Sequence, residues 1–465
     1  MPYASTQRDP ILIVGGGPTG TTLAIELLRR GVPCRVIDRL DGPVMTSRSF
    51  TLHARTLELF EMAGFVDAFL ERGIRSVSMD YRFQGVEEIA RLDFTALESQ
   101  YPFTLIINQD VTEAVLREHL ARLGTQVEWN VELRSLSHDG NGRVTAVLVH
   151  QPEGREEVVQ TDWLIGCDGV HSVVRKQLDL PYEGDDYTGM ELRMMDVQLS
   201  GFPLTDDSIH YLITKEHLLL ITKLPGLNYR VLISDMGGAQ ATDTVRSAFQ
   251  RVVDEHFRGS VTLGEPEWAT VFRIWRRIVT SYRQGHIFLV GDAAHCHSPA
   301  GGQGMNACIQ DAFNLGWKLA LVARGEAHES LLDSYEPERR PIGQQVIEAT
   351  HLLNTVIMAH GTSIEDRIAI TKEPGFNQRA VSKVSGLAYT YRDVVTAPPG
   401  LTPLDGPAAG DRALDAPLTT KLRLHDLLRH PDHTLLLFPG EANAAQALAE
   451  LARRVTKRFG ERVRV

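Results

Sequence analysis

ILIVGGGPTG, residues 11–20, is the stretch that decides the fold of this chain. Its first four residues form a continuous apolar run, which is typical of a short strand buried on both faces. Glycines follow, and then come the helical stretch 21–30, a stop at Gly31 and a second apolar strand, Cys34–Ile37. This order of strand, helix and strand predicts a βαβ unit of a doubly wound α/β fold.

The glycines of this run fit the pattern G-x-G-x-x-G at Gly15, Gly17 and Gly20, and Pro18 and Thr19 lie between them. Glycine is needed here because the backbone must turn tightly and approach a pyrophosphate closely. The start of the following helix adds free amides and a partial positive charge. We therefore take these five residues as candidate phosphate-binding residues.

A carboxylate completes the dinucleotide pattern. Asp38 follows the last glycine by 18 residues, at the end of the second strand, with Arg39 beside it. A carboxylate at this place can hold the hydroxyls of a ribose. The pattern predicts dinucleotide binding and does not, by itself, distinguish NAD from FAD.

Composition narrows the class of protein. A length of 465 residues favours two or three domains, and the net charge of −11 argues against nucleic acid or an anionic membrane as main partner. The cysteines include no C-x-x-C pair, which indicates free thiols in a reducing compartment. Residues 1–10 are polar and the apolar runs are strand-sized, so we expect a cytoplasmic protein without a membrane span.

The middle of the chain changes pattern twice. Asp110 and Glu113 resemble a capping box at the head of a helix, and 162–169 reads as a buried strand. From about 187 to 283, short β-like stretches such as 210–221 and 229–234 predict an antiparallel sheet with one open face.

The last third begins with a buried strand at 287–290, a loop rich in Gly and Pro, and a long helix at 304–324. A linker at 397–411 precedes a C-terminal piece. That piece ends at 462–465 in an alternating pattern that resembles a strand without a partner.

Three further segments bear on the cofactor: DGVHSVVR at 168–175, GDAAH at 291–295 with the loop that follows it, and YEPERRP at 335–341. The first two make physical sense around a flavin, because Asp292 can accept hydrogen bonds from ribityl hydroxyls and Asp168-Gly169 can turn near the pyrophosphate. The loop 299–302 has little side-chain bulk, so an isoalloxazine ring can lie against it. A helix starting near 304 would stabilise negative charge on the reduced ring. The candidate residues of the second segment are Gly291, Asp292, Pro299, Gly302, Gly304, Met305 and Asn306.

Together these motifs resemble the single-component FAD-dependent aromatic hydroxylases, the family of para-hydroxybenzoate hydroxylase, phenol hydroxylase and polyketide hydroxylases, over about residues 8–345. The phenol and polyketide branch is the most similar. The resemblance implies an α/β fold in which a Rossmann-like FAD-binding domain of the glutathione-reductase type is interrupted by an antiparallel β-sheet substrate domain. We expect the FAD-binding domain at 1–75, 104–182 and 284–395 and the substrate-binding domain at 76–103 and 183–283. The remainder, 396–465, resembles an incomplete thioredoxin-like domain.

The resemblance also implies roles for single residues. Asp168-Gly169 is similar to the family motif for combined use of FAD and NAD(P)H, and Gly291-Asp292 to its ribityl-binding motif. Arg48 and Gln109 are similar to family residues that contact FAD, whereas Arg117 is as well explained by a solvated helix face. We expect Pro299 and its backbone to form the wall of the oxygen-transfer site.

The reaction implied by the resemblance is hydroxylation of an aromatic, phenolic or polyketide-like small molecule. NADPH or NADH reduces tightly bound FAD, O₂ adds, and a flavin hydroperoxide transfers one oxygen atom to the substrate. Baeyer–Villiger oxidation, dehydrogenation and antibiotic inactivation remain alternatives on the same FAD shell, and a non-enzymatic flavin-binding protein is disfavoured. The choice between NADH and NADPH, and between monomer and homodimer, stays open.

Other patterns carry weaker hypotheses. His295-Cys296-His297 invites a metal site, but adjacent residues on an extended segment point to opposite sides, so we expect no metal. Residues 302–307 fit a loose G-x-G-x-x-A that no further βαβ unit follows, and no G-x-S-x-G hydrolase motif is present. For Arg273, Trp275 and Tyr211, packing in the sheet is favoured over lining a substrate cavity.

Overall fold

The apolar run Ile11–Val14 is a strand inside a six-stranded sheet. The computed structural model describes residues 10–44, 49–138, 142–215, 217–235, 245–358, 362–395, 406–438 and 445–465. The spatial order of the strands is Arg283–Gln284, Ile287–Leu289, Leu164–Gly166, Ile11–Val14, Cys34–Ile37, Val127–Glu128. All neighbours are parallel except the first pair. We call this the nucleotide sheet.

The predicted βαβ unit is present, with its helix at Pro18–Leu28 rather than 21–30. Proline at the first helical position costs nothing there, because its missing N–H would have no partner inside the helix. Every residue of Ile11–Val14 is buried, since helices cover the nucleotide sheet. The long helix Gly304–Ala323 packs directly on Pro18–Leu28, so two distant parts of the sequence meet above the glycine turn.

An eight-stranded sheet, which we call the large sheet, is the second layer. Its only parallel pair among the described strands joins Ser78–Phe83 to Ser208–Ile213, and the other pairs are antiparallel. The stretch predicted at 210–221 is a hairpin of two strands. The spatial order is His295–Cys296, Trp268–Val279, Tyr182–Val197, Tyr229–Asp235, Leu218–Lys223, Ser208–Ile213, Ser78–Phe83, Ile89–Asp93.

The prediction of one open face on this sheet is wrong. One face packs on the helices around Leu353 and Phe376. The other face is covered by the helix Val245–Phe257, whose Phe249 and Val253 are fully buried against it. Both faces can be covered because strand residues alternate between faces and the central strands are apolar on both. In Leu218–Lys223, Leu218 and Leu220 pack on one side, and Leu219 and Ile221 on the other.

The remaining elements connect these layers. The predicted capping box is wrong: the helix is Gln109–Arg122 with Asn108 at its N-cap, and Asp110 lies inside its first turn.

Three small sheets comprise Val131–His138 with Val144–His150 and Arg155–Thr161, Thr51–Leu52 with Thr104–Ile106 and Ile74–Ser76, and Leu199–Ser200 with Thr262–Leu263. Other helices are Ala54–Ala63, Asp67–Leu70, Val173–Gln177, Tyr335–Ile357, Ile364–Lys372 and Phe376–Val384, with 3-10 turns at Gly291–Ala293, Glu329–Ser334, His425–Leu428 and Gly460–Arg462.

The end of the chain forms a small β-α-β unit. Val463–Arg464 pairs in parallel with His433–Thr434, so the prediction of a strand without a partner is wrong. The connecting helix Ala445–Phe459 has no buried residue. The segment before it is tied to the helix Ala54–Ala63 by the ion pairs Arg412–Glu58 and Arg429–Glu61.

Among the described helices, none combines the length and apolar composition needed to span a bilayer.

Candidate active site

One cavity of about 470 Å³ brings most of the predicted cofactor residues together. Its size lies within the range of roughly 300–1,000 Å³ that is typical of small-molecule sites. The predicted residues that line it come from segments as far apart as the glycine turn and the start of the long helix. They are Gly15, Gly17, Pro18, Thr19, Asp38, Arg39, Gln109, Asp168, Gly169, Asp292, Pro299, Gly302, Gly304 and Met305.

Four predicted residues are not in this lining. Gly20 is buried in the first turn of its helix, where a Cβ would lie 2.0 Å from the carbonyl oxygen of Gly15. It therefore allows the helix to approach the turn. Gly291 and Asn306 support the loops that line the cavity, as described below. Arg48 lies outside the described residues, and its predicted contact with the cofactor stays a prediction.

The glycine turn and the second strand are joined by Asp38. Its Oδ2 accepts a hydrogen bond of 2.8 Å from the amide of Gly16, and its Oδ1 accepts one of 3.0 Å from the amide of Leu40. Carboxylate oxygens have further lone pairs, so these bonds orient Asp38 without exhausting it. A Cβ at Gly17 would meet no atom within 4 Å, so the cavity reaches the backbone at the helix N-cap.

Asp292 presents its carboxylate to the same cavity from the opposite segment. The Sγ of Cys308 donates to its Oδ1 over 3.3 Å. Burial raises the pKa of Cys308 well above its usual value, so the thiol stays protonated and serves as a donor. Asp292 is exposed to the cavity, as a residue that binds ligand hydroxyls must be.

A buried arginine joins the two flavin motifs. Arg175 donates to the carbonyl oxygens of Val170, at 2.8 Å, and Ala293, at 3.0 Å, and its guanidinium lies over the ring of Tyr182. Asp168 accepts from the amide of Val173 at 2.6 Å and so caps the short helix that carries Arg175. The loop after Leu164–Gly166 and the loop after Ile287–Leu289 are thereby held together.

The loop 299–304 is fastened to an early part of the chain. Thr51 Oγ1 donates to the carbonyl oxygen of Gly302 over 3.1 Å, and His53 Nε2 bonds the carbonyl oxygen of Gly301 over 2.8 Å. Asn306 Nδ2 donates to the carbonyl oxygens of Thr51 and Gly302, each at 2.9 Å, and its Oδ1 accepts from the amide of His53. The side chain of Asn306 thus holds the loop, and its predicted direct contact with the cofactor stays a prediction.

His53 is neutral in this arrangement. Burial lowers the pKa of its imidazole to about 4. Its Nε2 must then carry the proton to donate to the carbonyl of Gly301, and its Nδ1 accepts from the hydroxyl of Thr104 at 3.1 Å. The loop therefore depends on one tautomer of one buried histidine.

The start of the helix Gly304–Ala323 faces the cavity through Gly304 and Met305. The N-cap residue Gln303 makes no capping bond with its side chain, which instead accepts from the hydroxyl of Tyr389 at 2.9 Å. The free amides of the first turn can therefore stabilise negative charge in the cavity.

The polar cluster at Gln109 has its own geometry. Gln109 accepts from the amide of Ser49 at 3.2 Å and donates to Glu113 at 2.9 Å. Burial raises the pKa of Glu113, although Gln109 and Arg117 both lower it. Arg117 is paired with Glu113 at 3.2 Å and does not line the cavity, which fits the solvated helix face better than a cofactor contact.

A second, apolar pocket adjoins the cavity. It shares Phe50, Thr51, Pro299 and Gly302 with the cavity, and its own volume is only about 30 Å³. Its other walls come from the large sheet and the end of the helix Tyr335–Ile357. They are Met79, Leu192, Ile209, Tyr211, Leu218, Leu220, Leu232, Phe272, Ala300, Ile357 and Met358.

Tyr211, Arg273 and Trp275, the three sheet residues considered for a substrate cavity, differ in their surroundings. Tyr211 lines this pocket and stacks on Tyr81 with ring centroids 4.7 Å apart. Arg273 is exposed and faces Glu191 at 3.4 Å. Trp275 lies edge-on to His171 and under Arg277. In the described part of the chain, no group of three or more His, Cys, Asp or Glu side chains is arranged to hold a metal ion, and His295 bonds Asp311 instead.

Several functional positions escaped sequence reasoning. Thr51 and His53 belong to the stretch SFTLHA at 49–54, which carries no recognised motif, so no local signal marked them. Arg175 ends the DGVHSVVR segment and could have been singled out as the arginine of that motif. Tyr389 lies outside every motif, and only the folded chain brings it to Gln303.

The donor set fits FAD. Two carboxylates, Asp38 and Asp292, can hold the two polyol regions of such a ligand, and the backbone is bare at Gly17. The start of the long helix supplies the charge that a reduced ring needs.

Comparisons with known proteins agree with this geometry. A family model described as an FAD binding domain matches residues 8–350. Pentachlorophenol 4-monooxygenase of Sphingobium chlorophenolicum is 48% identical over 441 residues, covering 94% of this chain and 81% of that protein. 6-Methylpretetramide 4-monooxygenase of Streptomyces rimosus is 39% identical, covering 82% of this chain and 70% of its own length.

Solved structures show the same similarity. The anhydrotetracycline hydroxylase OxyS of Streptomyces rimosus superposes with a TM-score of 0.77 at 28% identity, covering 98% of this chain and 89% of that one. The predicted mixed α/β fold, the FAD cofactor and the monooxygenase class are confirmed. The chain therefore belongs to the family of single-component FAD-dependent aromatic hydroxylases.

Proposed function

We propose that this monooxygenase hydroxylates a small aromatic, phenolic or polyketide-like substrate bound in the apolar pocket. The observation that carries the proposal is the shared wall: Phe50, Thr51, Pro299 and Gly302 border both the pocket and the cofactor cavity. A substrate ring in the pocket would lie directly across this wall from the flavin. Two relatives are named for action on pentachlorophenol and on 6-methylpretetramide, and these names support the same substrate class.

The cofactor-binding roles follow from the lining. Gly15, Gly17 and the helix start at Pro18 would hold the pyrophosphate, Asp38 a ribose, and Asp292 the ribityl chain. When bound and reduced by NADPH or NADH, FAD supplies the activation of O₂ that puts one oxygen atom into the substrate and the other into water. The loop 299–302 and the start of the helix at Gly304 would orient its ring.

The apolar walls of the pocket would exclude water from the reacting region. The walls of the pocket are nearly all apolar, and the pocket volume of about 30 Å³ leaves no room for bulk solvent. A substrate must push side chains apart to enter, which links substrate binding to movement beside the cofactor. Exclusion of water suppresses side reactions of a reactive oxygen species.

Tyr211 would orient the substrate. Burial raises the pKa of its hydroxyl above the usual value, so it acts as a neutral hydrogen-bond partner rather than a base. Thr51, the other hydroxyl of the pocket, is already bonded to Gly302. The Tyr211 hydroxyl donates only a long bond of 4.0 Å to the weak acceptor Met79 Sδ, which a phenolic or quinone oxygen on the substrate ring would replace.

We also propose the domain division predicted from the sequence, with the FAD-binding domain at 1–75, 104–182 and 284–395. The passage of the chain from the nucleotide sheet to the large sheet and back supports it. For 396–465, the β-α-β unit of His433–Thr434, Ala445–Phe459 and Val463–Arg464 supports a thioredoxin-like segment.

The test is a panel of chlorinated phenols, simple phenols and polycyclic phenols, assayed for substrate-dependent oxidation of NADPH and NADH and for peroxide release. With ¹⁸O₂, the product should carry one labelled oxygen on a ring carbon. A product with the label in a new ring ester would indicate Baeyer–Villiger oxidation. A product dehydrogenated without label would indicate oxidase chemistry, and either result would overturn the proposal.

A further inference from the structure

A buried carboxylate lies behind the ribityl-binding turn. Asp311 is fully buried in the middle of the helix Gly304–Ala323. Its Oδ1 accepts a hydrogen bond of 2.6 Å from Arg339 Nε. Its Oδ2 accepts one of 2.7 Å from His295 Nε2 and one of 3.3 Å from the backbone amide of Gly291.

We propose that Asp311, held by Arg339, is a positioning residue for FAD, because it fixes the turn that aims Asp292 into the cavity. Asp311 itself does not line the cavity. It acts through Gly291, the neighbour of Asp292. The inference rests on FAD occupying the cavity.

The turn needs an external anchor. Gly291 has a φ of +64°, and a Cβ there would lie 2.9 Å from both Cys308 Cβ and Thr19 Oγ1. The backbone is therefore in the left-handed region and wedged between two helices. One direct bond from Asp311 to the Gly291 amide sets the direction in which the next residue leaves the turn.

Arg339 makes the buried carboxylate tolerable. Burial by itself raises the pKa of Asp311, but Arg339 and then His295 lower it by more, and its pKa falls below the usual value. A charge left unpaired in such a place would be strongly destabilising. The hydroxyl of Tyr391 in turn accepts from Arg339 Nη1 at 3.2 Å, and the carbonyl of Ala307 lies 3.4 Å from Nη2.

The proposal gives a physical role to YEPERRP, which sequence reasoning places only by resemblance. Tyr335 donates to the carbonyl of Leu289 at 3.1 Å, just before the turn. Glu336 accepts from the amide of Tyr282 at 2.9 Å, on the chain that leads into the same strand. Arg339 then reaches Asp311 under the turn itself. The segment therefore holds the chain that enters the turn and, through Asp311, the turn itself.

The experiment measures FAD binding by the full-length chain after removal of its flavin, using quenching of FAD fluorescence. We expect Asp311→Asn to raise the dissociation constant of FAD at least tenfold. Arg339→Met should do the same, and Arg339→Lys, which keeps the charge, should recover part of the loss. The visible circular dichroism of FAD at saturation should also change, since the ribityl chain would be held differently.

Asp80→Asn is the matched control. Asp80 is 1% exposed, accepts from Arg91 at 2.8 and 2.7 Å and from Ser78 at 2.9 Å, and does not line the cavity. It should lower the melting temperature of the flavin-free chain as Asp311→Asn does, with FAD affinity within twofold of wild type.

The outcomes are distinct. If Asp311→Asn does not fold, the comparison of Arg339→Lys with Tyr391→Phe, each a milder change, decides the matter, and both should weaken FAD binding at least threefold. FAD affinity and circular dichroism like wild type in the folded variants would overturn the proposal. A wild-type chain that binds no FAD would instead overturn the cofactor assignment on which the proposal rests.

Discussion

The hydroxyl of Thr51 donates a hydrogen bond of 3.1 Å to the carbonyl oxygen of Gly302, 251 residues later in the chain. This bond joins the strand that follows the first βαβ unit to the loop on which the flavin ring would lie. Both residues border the cofactor cavity and the apolar pocket. The wall between the cavity and the apolar pocket is therefore made by two distant segments at once.

Gly302→Ala should damage FAD binding. Gly302 has a φ of +65°, and a Cβ would lie 2.2 Å from Thr51 Oγ1. We expect the dissociation constant of FAD to rise at least tenfold, measured by fluorescence titration. Gly325→Ala separates strain from collision, because its φ is +71° and its Cβ would meet nothing within 4 Å. It should cost roughly 1–2 kcal/mol of stability and leave FAD binding intact. Equal FAD affinities in both variants would contradict the prediction.

Asp38→Ala should weaken FAD binding by loosening the glycine turn. The variant loses the acceptors for the amides of Gly16 and Leu40 and the candidate ribose ligand. Loss of such bonds costs about 1–3 kcal/mol, or about 5- to 160-fold in dissociation constant. Asp41→Ala, at an exposed position in the same loop, should bind FAD as wild type does. Isothermal titration of both variants checks this.

His53 should make the protein sensitive to acid. Burial lowers its pKa to about 4, below its usual value of about 6.5 in the unfolded chain. The unfolded state then binds the extra proton between these pH values, so stability is complete above about 6.5 and falls as pH drops towards 4. The loss amounts to roughly 3 kcal/mol, from the difference of about 2.5 units.

The check is urea unfolding at several pH values for wild type and His53→Gln. The variant should lose less stability between pH 7 and 4 than wild type does. His138→Gln, at an exposed position, should follow the wild-type curve. Identical pH dependence in wild type and His53→Gln would show that His53 does not cause the effect.

Tyr211→Phe should impair substrate use and not FAD binding. We expect kcat/KM for a phenolic substrate to fall about three- to tenfold, as for loss of one hydrogen bond. The fraction of NAD(P)H oxidation released as peroxide should rise. Tyr81→Phe removes the hydroxyl of the stacked partner, which is also buried but does not line the pocket, and should change neither quantity more than twofold. Assays of NAD(P)H oxidation and of peroxide release on both variants check this prediction.

Local patterns in consecutive residues selected side chains and glycines that the structure brings to one cavity. The glycines before Pro18 and the carboxylate of Asp38 lie at the ends of buried strands, and the structure places all of them at one cavity. Asp292 lines the same cavity as Asp38. The same patterns selected Gly20 and Asn306. In the structure Gly20 allows its helix to approach the glycine turn, and the side chain of Asn306 holds the loop 299–304.

Predictions about strands and sheet faces were wrong where the packing or pairing partner lies far away in the sequence. The open face of the large sheet is covered by Val245–Phe257, and the terminal strand Val463–Arg464 finds a partner at His433–Thr434. Alternation along a strand tells which residues share a face, but it does not tell what will pack on that face. The capping-box prediction was wrong because Asn108 and Asp110 are both suitable N-cap residues, and local sequence does not show which of them starts the helix.

By itself the sequence determined the βαβ unit, the class of cofactor and most of the predicted residues that line one cavity. These depend on turns, strand ends and helix starts within a few residues of one another, where backbone sterics leave little choice. Only the tertiary structure decided that Thr51 and His53 hold the loop 299–304 and that Asp311, paired with Arg339, bonds the turn at Gly291. Those contacts are hydrogen bonds and charge pairs between remote segments, and they exist only where burial forces each polar group to find a partner.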